Sequence, residues 1–169
     1  LDYDRFRLLG HTRDDAAGEA FDKVARTLGL GYPGGPAVAK AALGGSETAY
    51  PLPTPHVEGA YNVSFSGLKT AVLNAVNRAR QAGEEVDVPG MAASFQWRIT
   101  EILAEKLLAA ARDTGAARIC IAGGVGANEA LRRKMQQGAQ ALGAQVFLPQ
   151  LSLCGDNAAM VAAQGYYEF

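Results

Sequence analysis

The stretch that most restricts the fold is "ARICIAGGVGANEALRRKMQQGAQALGAQVFLP". A short β-branched run, Ile119–Ile121, leads into Gly123-Gly124. A helix-forming segment follows, and a second strand-sized run, Val146–Leu148, closes the unit. Strands joined through a helix run in the same direction, because the crossover returns the chain to the end it left. The grammar therefore predicts a parallel α/β sheet. Two glycines straight after a buried strand let backbone N–H groups approach a ligand closely, and Asn128 falls in the first helical turn. The spacing is neither G-x-G-x-x-G nor G-x-x-x-x-G-K-[ST], so neither a dinucleotide fingerprint nor a P-loop is licensed. A tight turn with an asparagine cap and a ligand-facing loop both remain open for this stretch.

The other segments are mostly helical in period. "DDAAGEAFDKVARTLGLG" places Ala17, Phe21, Val24, Ala25 and Leu28 on one stripe, with Asp14 or Asp15 as N-cap and Gly29 and Gly31 as stops. "YPGGP" reads as a turn before a second, alanine-rich helix. "FSGLKTAVLNAVNRARQAG" sets Leu68, Val72, Leu73 and Val76 on one side, with Ser66 as cap. "MAASFQWRITEILAEKLLAAARDTG" is the longest helix, with Phe95, Ile99, Ile102, Leu103, Leu107 and Ala110 as its stripe. "RFRLLGHT" alternates weakly and reads as a strand, and "YDRF" already looks like its interior. Residues 44–62 are rich in Gly and Pro and read as a surface excursion.

Nearly half of the 169 residues are apolar and a fifth are charged, which fits a globular protein with a core. The net charge of −1 gives no global footprint for nucleic acid or membrane. No apolar run approaches the ~20 residues of a membrane span, and no secretion leader is expected. Cys120 and Cys154 cannot build a disulfide framework, so a reducing cytoplasm is the expected setting.

Few residues carry obvious chemistry. Asp15, Glu19 and Asp22 stand at four- and three-residue steps on one helix face. They suit either a solvated acidic face or a ligand rich in hydroxyls, and a carboxylate facing a cleft can accept two hydrogen bonds from a ribose diol. Lys69 could reach a phosphate. "RRK" at 132–134 reads as a solvated basic face. His11 and His56 form no H-x-x-x-H or H-E-x-x-H pair, so a complete metal site is not expected from this chain. Asp156, in "CGDNAAM" at the mouth of an apolar helix, suits a helix cap or a metal ligand.

Taken in order, "LGHTRDDAAGEAFDKVARTLGLGYPGGP", "SFSGLKTAVLN", "ASFQ", "AGGVGANEALRRKM" and "LCGDNAAMVAAQG" resemble the C-terminal two-thirds of the TsaD family. These are bacterial tRNA threonylcarbamoyladenosine transferases, formerly called glycoproteases. The resemblance covers nearly all of 1–169. It implies an α/β, actin-like ATPase (ribonuclease H-like) fold, incomplete here and with extra helices. It implies transfer of threonylcarbamoyl from its adenylate to N6 of adenosine 37 in tRNAs reading codons that begin with A. Asp22, Gly35 and Asn128 would contact the adenosine part of an adenylate or ATP-type nucleotide, with Gly123 and Gly124 giving close backbone approach. Asp156 would ligate iron or zinc. The family's other metal ligands, two histidines of an H-x-x-x-H motif, and its "SGGH" loop are not in this chain. The chain alone is therefore expected to bind metal weakly and not to catalyse transfer. The implied partners are tRNA and TsaB-like and TsaE-like proteins, with self-association left open. A metal-dependent peptidase, the older family reading, and a non-catalytic nucleotide-binding scaffold are the alternatives.

Overall fold

A computed structural model describes residues 5–169; residues 1–4, where the predicted first strand would begin, lie outside it. The chain order is α1 (Ala17–Thr27), α2 (Gly34–Ala42), α3 (Ser66–Ala82), α4 (Val88–Thr114), β1 (Arg118–Cys120), α5 (Glu129–Ala141), β2 (Gln145–Phe147) and α6 (Ala158–Glu168). Short 3₁₀ turns at Gly124–Ala127 and Leu151–Leu153 complete it. The predicted strand–turn–helix–strand unit is present. β1 and β2 pair in parallel, Ile119 opposite Val146, each strand beginning one residue earlier than its apolar run suggested. The fold is mixed α/β with a small parallel sheet.

α4 is the spine. Its 27 residues span about 40 Å at the usual helical rise. Asp87 caps its start, accepting from Gly90 N at 2.9 Å, and Pro89 in the first turn loses no hydrogen bond there. The first half of α4 packs on α1, α2 and α3 through Met91, Phe95 and Ile99, against Phe21, Val24, Val38, Leu68 and Val72. Its second half packs on β1 and α5 through Ala104 and Ala111, against Ile119, Leu131 and Met135. Leu103 and Val125 touch both clusters and join them. The Gly/Pro-rich stretch 44–62 holds no helix or strand and is pinned to α4. Ser94 Oγ accepts from Tyr50 N (3.0 Å), Arg98 donates to Thr54 (2.9 Å), and Lys106 donates to Ala60 O (2.9 Å).

Four sequence expectations are corrected. Residues 5–12 form no strand; Thr12 alone makes an isolated parallel bridge, to Val63, with no neighbouring described strand to continue a ladder. Neither Asp14 nor Asp15 caps α1; its N-cap is Ala16, without a side-chain bond. Ser66 does not cap α3 but is its first helical residue. The glycines of "YPGGP" are not a turn before α2 but its first helical positions. α6 buries none of its residues, leaving Met160, Val161 and Tyr166 exposed.

The acids near α1 explain the capping corrections, because they cap neighbouring helices instead. Asp14 reaches the start of α3. One oxygen accepts from Phe65 N (2.8 Å) and Ser66 N (3.2 Å), the other from the hydroxyls of Ser64 and Ser66. Partial burial pushes its carboxyl up, but these four bonds outweigh burial and hold it at about 2, below its ordinary 3.8. Asp15 hydrogen-bonds Lys23 (2.8 Å) and lies 3.5 Å from Lys69. The Lys23 bond, against a desolvation penalty, lowers its carboxyl. Lys69 therefore serves an internal acid rather than an open phosphate site.

A group depressed in the folded state stabilises above its unfolded value and loses that stabilisation as pH falls through the folded one. Asp14 should therefore contribute fully above about pH 4 and little by about pH 2. Asp14→Ala should cost about 1 kcal/mol at pH 7, the ordinary worth of a helix cap. Urea unfolding of both proteins at pH 7 and at low pH checks this: the gap should close in acid, and an equal gap at both pH values contradicts it.

Candidate nucleotide site

A cavity of about 760 Å³ opens where the two core clusters meet, within the range of small-ligand sites. One wall is α1, the Tyr32-Pro33 turn and α2; the other is the 3₁₀ turn after β1 and the start of α5; α4 contributes Gln96. Of the residues singled out from the sequence, Asp22, Gly35, Gly124 and Asn128 all line it. Gly123 stands immediately before it in the turn. Asp156 does not line it.

Each side chain is held for a local reason. Phe21 is buried on α1 and meets Phe95 of α4 edge-to-face, centroids 5.2 Å apart. The next residue of each helix, Asp22 and Gln96, consequently borders the cavity. Asp22 Oδ1 accepts from Gly34 N at 2.8 Å. α2 has no cap of its own, since Pro33 precedes it, so Asp22 caps it from α1. No described residue bonds Asp22 Oδ2, which leaves that oxygen for a ligand.

The adjoining glycines divide two duties. A Cβ on Gly34 would sit 2.5 Å from Asp22 Cα and 2.7 Å from its N, a backbone clash that nothing flexible can relieve. A Cβ on Gly35 would meet nothing within 4 Å. Gly34 thus allows α2 to close on α1, and Gly35 presents bare backbone to the cavity.

On the opposite wall Gly123 has φ +83°, which favours glycine, and admits the sharp turn out of β1. Gly124 opens the 3₁₀ turn with open space beside it. Asn128 is the N-cap of α5, its Oδ1 accepting from Leu131 N at 3.1 Å. Its Nδ2 donates to Gln96 Oε1 at 2.9 Å. The amide ties α5 to α4, and the α5 N-terminus contributes partial positive charge to that wall. Arg133, exposed, and Glu129 stand at the rim.

The basic cluster is not a uniformly solvated face. Arg132 Nε donates to Gly126 O (2.6 Å), and its Nη2 donates to Pro149 O (2.7 Å) and contacts Cys154 Sγ (3.3 Å). It ties the glycine turn to the loop leading to Asp156. Lys134 pairs with Glu101 and lies 4.9 Å from the Trp97 ring centroid. The acidic face of α1 is only partly solvated: Asp22 caps α2, Asp15 holds two lysines, and the exposed Glu19 pairs with Lys23.

Asp156 is exposed, and it does not cap α6: Asn157 does, accepting from Met160 N at 2.9 Å. Among the described residues no three His, Cys, Asp or Glu side chains cluster where they could hold a metal ion. The described residues alone therefore do not complete a metal centre; one carboxylate is too few. His11 and His56 are both exposed, and His11 Nδ1 lies 2.7 Å from Thr12 O. No helix of the described residues is long and apolar enough to cross a membrane. Gln96 is one of several cavity residues to which the sequence alone gives no role. "ASFQ" had been matched only as a motif, and the signal was its final residue, polar directly after a core phenylalanine.

Known proteins resemble this chain along nearly all of its length. A family model described as TsaD, tRNA N6-adenosine threonylcarbamoyltransferase, matches residues 1–163. Similar proteins carrying that description include one from Desulfitobacterium hafniense (strain Y51), 51% identical over 98% of this chain and 49% of its own length. Another, from Symbiobacterium thermophilum, is 52% identical over 96% of this chain and 48% of its own length. A third, from Moorella thermoacetica, is 50% identical over 99% and 49%. The chain spans about half the length of the curated relatives it matches.

The two glycines of α2 give a direct check of the geometry. Gly34→Ala should destabilise by roughly 1–3 kcal/mol, the usual cost of overpacking. Gly35→Ala should leave stability within about 0.5 kcal/mol. Thermal unfolding of the two variants compares them, and equal losses would contradict the assignment of the close approach to Gly34.

Proposed function

The chain belongs to the TsaD family of tRNA N6-adenosine threonylcarbamoyltransferases, and from that premise we propose that its cavity holds the adenosine part of a threonylcarbamoyl adenylate or ATP-type nucleotide. The observation that carries the reading is the convergence of Asp22 and Gly35, from one sequence motif, with Gly124 and Asn128, from another about a hundred residues on, on one cavity. The free Oδ2 of Asp22 accepts from a ribose hydroxyl while Oδ1 stays committed to Gly34 N. Gly35 and Gly124 let the ligand lie against backbone. The α5 N-terminus and the Gly123-Gly124 turn face the anionic end of the ligand. In the broader fold this is one side of an actin-like ATPase cleft.

The reaction is acyl-type transfer. The exocyclic N6 amine of adenosine 37 in a tRNA reading codons that begin with A attacks the carbamoyl carbon of the mixed anhydride. The new C–N bond forms, the bond from that carbon to the bridging oxygen breaks, AMP leaves, and the amine loses a proton to solvent or a base. The residues of this chain contribute by holding the adenosine, so that binding distant from the reacting carbon fixes its position. Asp156 would offer one carboxylate to a divalent iron or zinc ion, whose other ligands would come from outside the described residues. The partners in this reading are tRNA and TsaB-like and TsaE-like proteins, in the cytoplasm.

Asp22→Asn separates binding from folding, because its amide oxygen still caps α2 while the charged acceptor is lost. Calorimetric titration of the chain with adenosine and AMP should show saturable binding. The variant should bind roughly 10–100-fold more weakly, as expected for a hydrogen bond to a charged group, with an unchanged melting temperature. No saturable binding, or equal binding by the variant, would sink the proposal.

A further inference from the structure

We infer that Gln96 is a nucleoside-reading residue, donating from Nε2 to an acceptor atom of the bound adenosine; the inference rests on the nucleotide reading of the cavity. It follows from the direction of a short hydrogen-bond relay. Leu131 N is a backbone donor and has no other role to play, so Asn128 must present Oδ1 to it, as it does at 3.1 Å. That fixes the orientation of the Asn128 amide and leaves Nδ2 as the atom facing α4. Nδ2 can only donate, so Gln96 must answer with Oε1, as it does at 2.9 Å. The orientation of the Gln96 amide is fixed in turn, and its remaining polar atom, Nε2, can only donate.

Nε2 has no hydrogen-bond partner among the described residues, and Gln96 borders the cavity. The glutamine backbone is immobile beside it. Gln96 O accepts from the buried Thr100 hydroxyl at 2.8 Å, and Phe95, the preceding residue, is fully buried against Phe21. One site thus carries an oriented acceptor, Asp22 Oδ2, and an oriented donor, Gln96 Nε2, on two helices whose core phenylalanines meet edge-to-face. Adenosine matches this polarity. Its hydroxyls donate to the carboxylate, while ring nitrogens and ribose oxygens accept from the amide.

Gln96→Glu is the discriminating change. The carboxylate still accepts from Asn128 Nδ2 but cannot donate to the ligand. Titrated with adenosine, which is uncharged and so feels no repulsion from the added charge, the variant should bind about three- to tenfold more weakly. Its melting temperature should not move. A second measurement uses atom-deleted ligands: 1-, 3- and 7-deazaadenosine and 2′- and 3′-deoxyadenosine. The analogue lacking the accepting atom should bind the unaltered chain more weakly by a similar factor and lose nothing further with Gln96→Glu. Unchanged adenosine affinity in the variant, or losses that multiply for every analogue, overturns the inference while leaving the nucleotide reading standing. Absence of adenosine binding to the unaltered chain overturns both.

Discussion

The edge-to-face contact of Phe21 with Phe95 is the interaction on which the rest of the arrangement depends. Each ring is fully buried, which by transfer free energy stabilises by about 1.5–3 kcal/mol per side chain, and the paired geometry adds about 0.5–1.5 kcal/mol. Its consequence for the site is positional. On a helix, a residue beside a core phenylalanine is turned about 100° away from it, so burying both rings leaves Asp22 and Gln96 at the border of the core. The two rings, together with α2 packed on both helices, set the relation of α1 to α4 and with it the spacing of an acceptor and a donor. A core contact therefore fixes the polarity of the cavity.

The same economy appears in the acids. A helix start leaves backbone N–H groups without partners, and α2 and α3 both begin without side-chain caps of their own. Asp22 and Asp14 supply those caps from outside the helices they serve. Asp22 is consequently both a structural tie and a cavity residue, one oxygen for each duty. That explains why an acid-rich run sits on a well-packed helix: the charges are consumed by N–H groups and by Lys23 and Lys69 rather than left to repel one another.

What was legible in the sequence is what local pattern determines. The 3.6 period located α1, α3 and α4, and the strand–glycine–helix–strand order gave α5 and a parallel pair. The caps were misread because a cap was sought within one segment, whereas Asp14 meets α3 some fifty residues away. "RFRLLGHT" failed as a strand because alternation shows a capacity for pairing, while a strand also needs a neighbour, and here only Thr12 finds one. Arg132 was placed with its neighbours as a solvated face because adjacent residues on a helix point in different directions. Arg132 turns inward to Gly126, Pro149 and Cys154, and Arg133 turns to the cavity rim.

The site was legible in a different way. Asp22, Gly35, Gly124 and Asn128 were named through a resemblance in motifs spread over more than a hundred residues, and no spacing rule connects them. Folding connects them through α4, which packs one cluster on each half and carries Gln96 at the cavity. Gln96 was invisible to that route because motif matching weighs residues singly, and a glutamine in a helix is unremarkable alone. Its meaning arises from direction: a backbone N–H at Leu131 orients Asn128, and Asn128 orients Gln96. Directionality of that kind is a property of three residues in contact, and it exists only once α4 and α5 are packed.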